Sequence, residues 1–213
     1  MKLKLAAIFF SFCVFSTLSS QAQIPGVSKV TKQLPKAELG LKLGANFETL
    51  SGSSWQNTYK PGIVGGVFVG LHKGSYGIRI EGLINSSHYT SQSFIDSTHK
   101  GDFRATYFDF PILFEYKVIP RVWLQIGPQY SNVLSIKSLN DFAGDSKSMF
   151  KSNVFALIFG IEAKLPMHIT VGARYILGLT DMNNVSTNNT TIKNVNGSWS
   201  NRSAQVSLGF RFL

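Results

Sequence analysis

The chain has 213 residues, a formal net charge of +10 and one cysteine, Cys13. That cysteine falls within the first twenty residues, so the remainder has no disulfide, thiolate metal site or Cys nucleophile. No stretch beyond residue 22 approaches the roughly 18 uninterrupted apolar residues of a membrane-spanning helix, and the scattered cations, with a mild cluster at Lys29, Lys32 and Lys36, do not form a nucleic-acid footprint.

The chain opens with Lys2 and Lys4, then the apolar run Leu5–Leu18, then Ser20-Gln21-Ala22. This order of basic start, apolar middle and small residues is that of a secretory signal, with cleavage expected after Ala22. The run is too short to cross a bilayer as a helix. Residues 23–37 contain Pro25 and Pro35 and no clear period, and read as an N-terminal extension on the periplasmic side.

Eight strands follow, at 38–49, 61–73, 75–87, 103–118, 121–137, 152–165, 168–180 and 202–213. Strand side chains point to opposite faces in turn. The first strand sets Leu39, Leu41 and Leu43 against Glu38 and Lys42. The third sets Tyr76, Ile78 and Ile80 against Arg79 and Glu81. The fourth sets Phe108, Phe110, Ile112 and Phe114 against Asp109, Glu115 and Lys117. The seventh sets Ile169, Val171 and Tyr175 against Arg174. The last sets Val206, Leu208, Phe210 and Phe212 against Arg211. The second and sixth strands are apolar on both faces, and their facing is left open.

Connections alternate in length. The stretches 50–60, 87–102, 138–151 and 181–201 are long, and the turns at Lys73-Gly74, Ile119-Pro120 and Pro166-Met167 are tight. An up-and-down barrel with tight turns on one rim and long loops on the other produces this rhythm, and its even strand count puts both ends on the tight-turn rim. Closure follows from backbone satisfaction, because an unpaired sheet edge is not tolerated in hydrocarbon. The predicted fold is all-β: an eight-stranded antiparallel up-and-down transmembrane barrel over residues 38–213.

The segment Tyr107-Phe108-Asp109-Phe110-Pro111-Ile112-Leu113-Phe114-Glu115-Tyr116 resembles the central strand of the PorT-type outer-membrane β-barrel proteins of the Bacteroidetes. Leu39-Gly40-Leu41-Lys42-Leu43-Gly44 and Leu124-Gln125-Ile126-Gly127-Pro128-Gln129-Tyr130 are also similar to that family. The resemblance covers residues 38 to 213. It implies an exported outer-membrane protein, with the barrel assembly machinery and outer-membrane lipid as partners. The chain ends Phe212-Leu213, so the terminal aromatic of such barrels stands one residue early. The secretion role of the family's namesake is not carried over.

On this reading the lumen holds a charge network of Glu38, Lys42, Arg79, Glu81, Asp109, Glu115, Lys117, Glu162, Lys164, Arg174 and Arg211. The lipid-facing set is Phe108, Phe110, Ile112, Phe114, Val206, Leu208, Phe210 and Phe212. A tube of eight strands is just wide enough for its own side chains, so a narrow plugged lumen without an open pore is expected. No catalytic, cofactor or metal site is assigned, and the chain is read as a non-enzyme with no nucleic-acid partner. A structural or interaction role is expected of the long outer loops, where a protein partner would bind. Alternation alone leaves two alternatives. One is a secreted, soluble, lipocalin-like barrel with its apolar face turned in around a ligand. The other is an outer-membrane lipid-modifying enzyme, for which Ser86, Ser87 and His88 are the nominal residues. His88 and His99 with Asp96 and Asp102 are the best metal candidate by composition.

Overall fold

In the computed structural model the described residues are 34–51, 60–91, 101–138, 152–180 and 200–212. The expected signal, residues 23–33 of the expected extension, and Asp96 and His99 lie outside them. The strands are β1 (Lys36–Ser51), β2 (Lys60–Lys73), β3 (Tyr76–Ser91), β4 (Gly101–Ile119), β5 (Val122–Ser138), β6 (Asn153–Lys164), β7 (Ile169–Gly178) and β8 (Ser200–Arg211). Every neighbour in sequence is an antiparallel neighbour in space, and β8 pairs back onto β1 to close the barrel. Closure leaves no strand edge for another chain to pair with.

Most bounds match the sequence pattern to within two residues. The exception is β3, which runs on to Ser91 and pairs Ser91 with Gly101. Residues His88, Tyr89, Thr90 and Ser91 extend the ladder without an apolar alternation to betray it, because β-pairing here continues past the apolar belt.

The three tight turns join β2–β3, β4–β5 and β6–β7. They need left-handed backbone, and only one supplies glycine for it. Gly74 has φ 64°, whereas Arg121 (φ 73°), Met167 (φ 59°) and His168 (φ 63°) adopt the same region with side chains. Pro120 before Arg121 fits the first central position of a type II turn. The ladder also carries register shifts between Thr106 and Tyr107 and between Lys117 and Ile119, one near each end of β4.

The lumen is narrow, and glycine makes room for its largest side chains. A Cβ at Gly40 would stand 2.4 Å from Phe68 Cζ and 2.4 Å from the Phe210 carbonyl. Phe68, fully buried, therefore lies across the tube over a wall that must be bare there.

The barrel interior as candidate functional site

The ambiguous strands resolve by burial. On β2, Gly62, Val64, Phe68 and Gly70 point in, and Ile63, Val67, Val69 and Leu71 point out. On β6, Val154, Ala156, Ile158 and Glu162 point in, and Phe155, Phe159 and Ile161 point out. The lumen is thus filled in three layers. An ionic layer sits at the tight-turn end. An apolar layer of Leu113, Ala156, Ile158 and Ile176 follows. A layer of amides and hydroxyls lies towards the long connections.

The ionic layer is a closed cage. Arg174 grips Glu81 with both terminal nitrogens, Nη1 to Oε2 at 2.6 Å and Nη2 to Oε1 at 2.7 Å. Lys42 Nζ donates to the same Glu81 at 2.6 Å. Arg79 Nη1 donates to Glu162 at 2.6 Å, its Nε lies 3.1 Å from Glu115, and its Nη2 lies 3.4 Å from Glu38. Its guanidinium also stacks 4.5 Å from the centre of the Phe68 ring. Lys164 Nζ donates to Glu38 at 2.7 Å, and Arg211 reaches the same carboxylate at 3.6 Å from the rim. Gln125 ties the two halves, donating to Glu115 at 2.6 Å and accepting from Arg174 at 2.9 Å. Buried charges cost several kcal/mol each unless paired, and here each cage carboxylate meets at least one cation.

Two residues from the sequence-derived network stand outside the cage. Asp109 is fully buried but lies in the amide layer, hydrogen-bonded by Ser131 and Asn85. Lys117 is half-buried at the rim, its ammonium 5.9 Å from the Trp123 ring. The reason is position along the axis: both share the inward parity of β4, but the apolar layer separates Asp109 from the cage, and the register shift after Lys117 turns it aside.

His72 belongs to the cage and was missed. Its Nδ1 lies 3.3 Å from Glu38, its Nε2 contacts Glu115, and its ring packs edge-on against Trp123 at 4.8 Å. The signal was available, since His72 shares the parity of Phe68 and Gly70, but its place beside the turn hid it. Glu48 was missed likewise. It is buried and accepts from Asn85 at 3.2 Å, within a set where Asn46 donates to Asn85 at 2.6 Å and to Ser87 at 3.0 Å. A cavity of about 20 Å³ beside Glu48 and Asp109 has room for about one water.

Glu38, His72 and Glu115 bring possible metal-ligand atoms within 4.8 Å of one another. Lys164 already sits among them, 2.7 Å from Glu38 and 3.7 Å from Glu115. Glu38 and Glu115 therefore act as counter-ions to that ammonium, with His72 Nε2 3.1 Å from it. The nominal catalytic residues do not form a constellation. Ser87 points inward and is bonded to Asn46, while His88 points outward, its Nε2 accepting from Arg104 at 2.9 Å and its Nδ1 3.2 Å from the Pro61 carbonyl.

The outer wall is the inverse of the lumen. Phe108, Phe110, Ile112, Phe114, Val206, Leu208, Phe210 and Phe212 are all exposed, from 38% for Phe108 to 61% for Leu208, while Arg79 and Glu115 are at 0%. A soluble ligand-binding barrel requires the opposite arrangement, because it would fill its core with the apolar face. No helix among the described residues is long and apolar enough to cross a membrane, so any crossing is by strands.

Solved structures of similar shape include Neisserial surface protein A, 12% identical over 83% of this chain and 99% of that one, with a TM-score of 0.51. The attachment invasion locus protein of Yersinia pestis is 12% identical over 83% and 99%, at 0.47. The outer membrane protein OprG of Pseudomonas aeruginosa is 9% identical over 85% and 98%, at 0.46. At these identities the likeness concerns the fold. No curated protein matches the chain. The outer membrane protein beta-barrel domain matches residues 21–184, and the chain, closed as eight antiparallel strands with its charges inside and its apolar side chains outside, belongs to that outer-membrane β-barrel family.

Proposed function

We propose that the protein is a non-conducting integral outer-membrane barrel, whose rigid body presents the long connections as an interaction surface. The observation that carries this is the lumen. A tube crossed by Phe68, an ion-pair cage and an apolar layer leaves little room among the described residues for a continuous water path, and such a body holds loops without transporting through them. The tight-turn rim faces the periplasm and the long connections face outward, as in barrels of this kind. A signal cleaved after Ala22 and the barrel assembly machinery deliver the chain, and the apolar belt meets lipid.

Reconstitution into planar bilayers tests the proposal. Insertion, read by heat-modifiable migration on a detergent gel, should occur without discrete conductance steps. Stable open channels in the unmodified protein would refute the plugged lumen, and solubility without detergent would refute the membrane assignment.

A further inference from the structure

A row of basic side chains, two of them cations, crosses three strands on the outer wall, beyond the apolar belt. Arg104 on β4 stands directly opposite His88 on β3 and Lys137 on β5. Like charges directly opposite on one sheet face destabilise it, yet Arg104 and Lys137 are both exposed, and no carboxylate among the described side chains, which do not include that of Asp102, lies within 4.0 Å of either. His88 does not add to the repulsion. Its Nδ1 lies 3.2 Å from the Pro61 carbonyl and its Nε2 accepts from Arg104 Nε, an arrangement that suits the neutral ring. The histidine thereby fixes the guanidinium through Nε and leaves both terminal nitrogens for another group. One register step nearer the belt, Ser86, Thr106 and Ser135 line up across the same strands as a row of hydroxyls.

The depth of this patch is set by the belt. On β4 the outward side chains from Phe108 to Val118 are apolar and exposed. They span about 33 Å of strand, or about 25 Å of membrane normal at a tilt of about 40°, which is the height of the apolar band in such barrels. Thr106 and Arg104 are the next two outward residues, so they stand at the headgroup level of the leaflet on the long-loop side.

We infer that Arg104 and Lys137, with Arg104 oriented by His88, bind the phosphate of an anionic lipid of the outer leaflet. A guanidinium held through Nε offers its two remaining nitrogens to two phosphate oxygens, and Lys137 supplies the second positive charge. The ligand removes the repulsion between the pair, which an empty surface would retain. The inference rests on the membrane reading above.

The test uses the full protein in nanodiscs of phosphatidylcholine with and without phosphatidic acid, counting retained lipids by native mass spectrometry after transfer to detergent. Phosphatidic acid should be retained over phosphatidylcholine, and Arg104→Gln with Lys137→Gln should lower its retention at least about tenfold, the scale of one charge-assisted contact. Lys73→Gln with Arg121→Gln, at the opposite rim, should change nothing. Asp102→Asn, which removes the acid two residues further along β4, should leave retention unchanged or raise it. Equal loss in both double variants, a fall on Asp102→Asn, or displacement of the lipid by excess inorganic phosphate would each overturn the assignment. Failure of the unmodified protein to insert would strike the membrane reading itself. Insertion with full retention in the Arg104/Lys137 variant would strike this inference alone.

Discussion

Replacing Arg79 by Met isolates what the ionic cage contributes. Met preserves length and the packing on Phe68 while removing the guanidinium. Glu38 keeps Lys164 at 2.7 Å, and Glu115 keeps His72 and the Gln125 amide. Glu162 is left with Lys42 at 3.8 Å and Gln125 at 3.4 Å in place of a 2.6 Å contact. One fully buried carboxylate therefore loses its close partner, which costs about 3–5 kcal/mol, or about a hundredfold to several thousandfold in the folding equilibrium. Adding Glu162→Gln removes the orphaned charge and should return at least about 2 kcal/mol, since residues of one network couple strongly. Urea titrations in detergent, followed by tryptophan fluorescence and heat-modifiable migration, give both values from midpoints at constant slope. A loss below about 1 kcal/mol for Arg79→Met, or a double variant weaker than the single one, would mean that water enters the lumen and screens the cage, and the reasoning would fail.

Two further outcomes follow from the wall and the rim. Phe114→Arg places a charge within the apolar belt and should cost about 2–4 kcal/mol near the midplane, whereas Thr106→Arg, beyond the belt, should cost almost nothing; comparing their urea midpoints in lipid vesicles with the unmodified protein checks both. Met167 and His168 hold two consecutive left-handed conformations in the β6–β7 turn, where Asn-Gly is the preferred pair. Met167→Asn with His168→Gly should raise stability by about 1 kcal/mol, visible as a later unfolding midpoint.

The alternation of Phe108, Phe110, Ile112 and Phe114 with Asp109 and Glu115, and the long–short rhythm of the connections, determined eight strands and an up-and-down order without any coordinates. Period-two patterning is local, so it survives in the sequence of each strand by itself. Which of two faces turns inward is not local. Leu39-Gly40-Leu41-Lys42 reads the same in a soluble barrel and in a membrane barrel, and on β2 and β6 both faces are apolar, so parity had nothing to distinguish there. Only closure decided that Phe68 lies over Gly40 inside while Val67 and Val69 face out. The cage depended on closure too, because Arg79 meets Glu162 and Lys164 meets Glu38 across the tube, at separations in sequence that no pattern connects. Asp109 shows the complement: its parity was legible, but its height along the axis, above the apolar layer and away from every cage cation, is a property of strand register and exists only once all eight strands are paired.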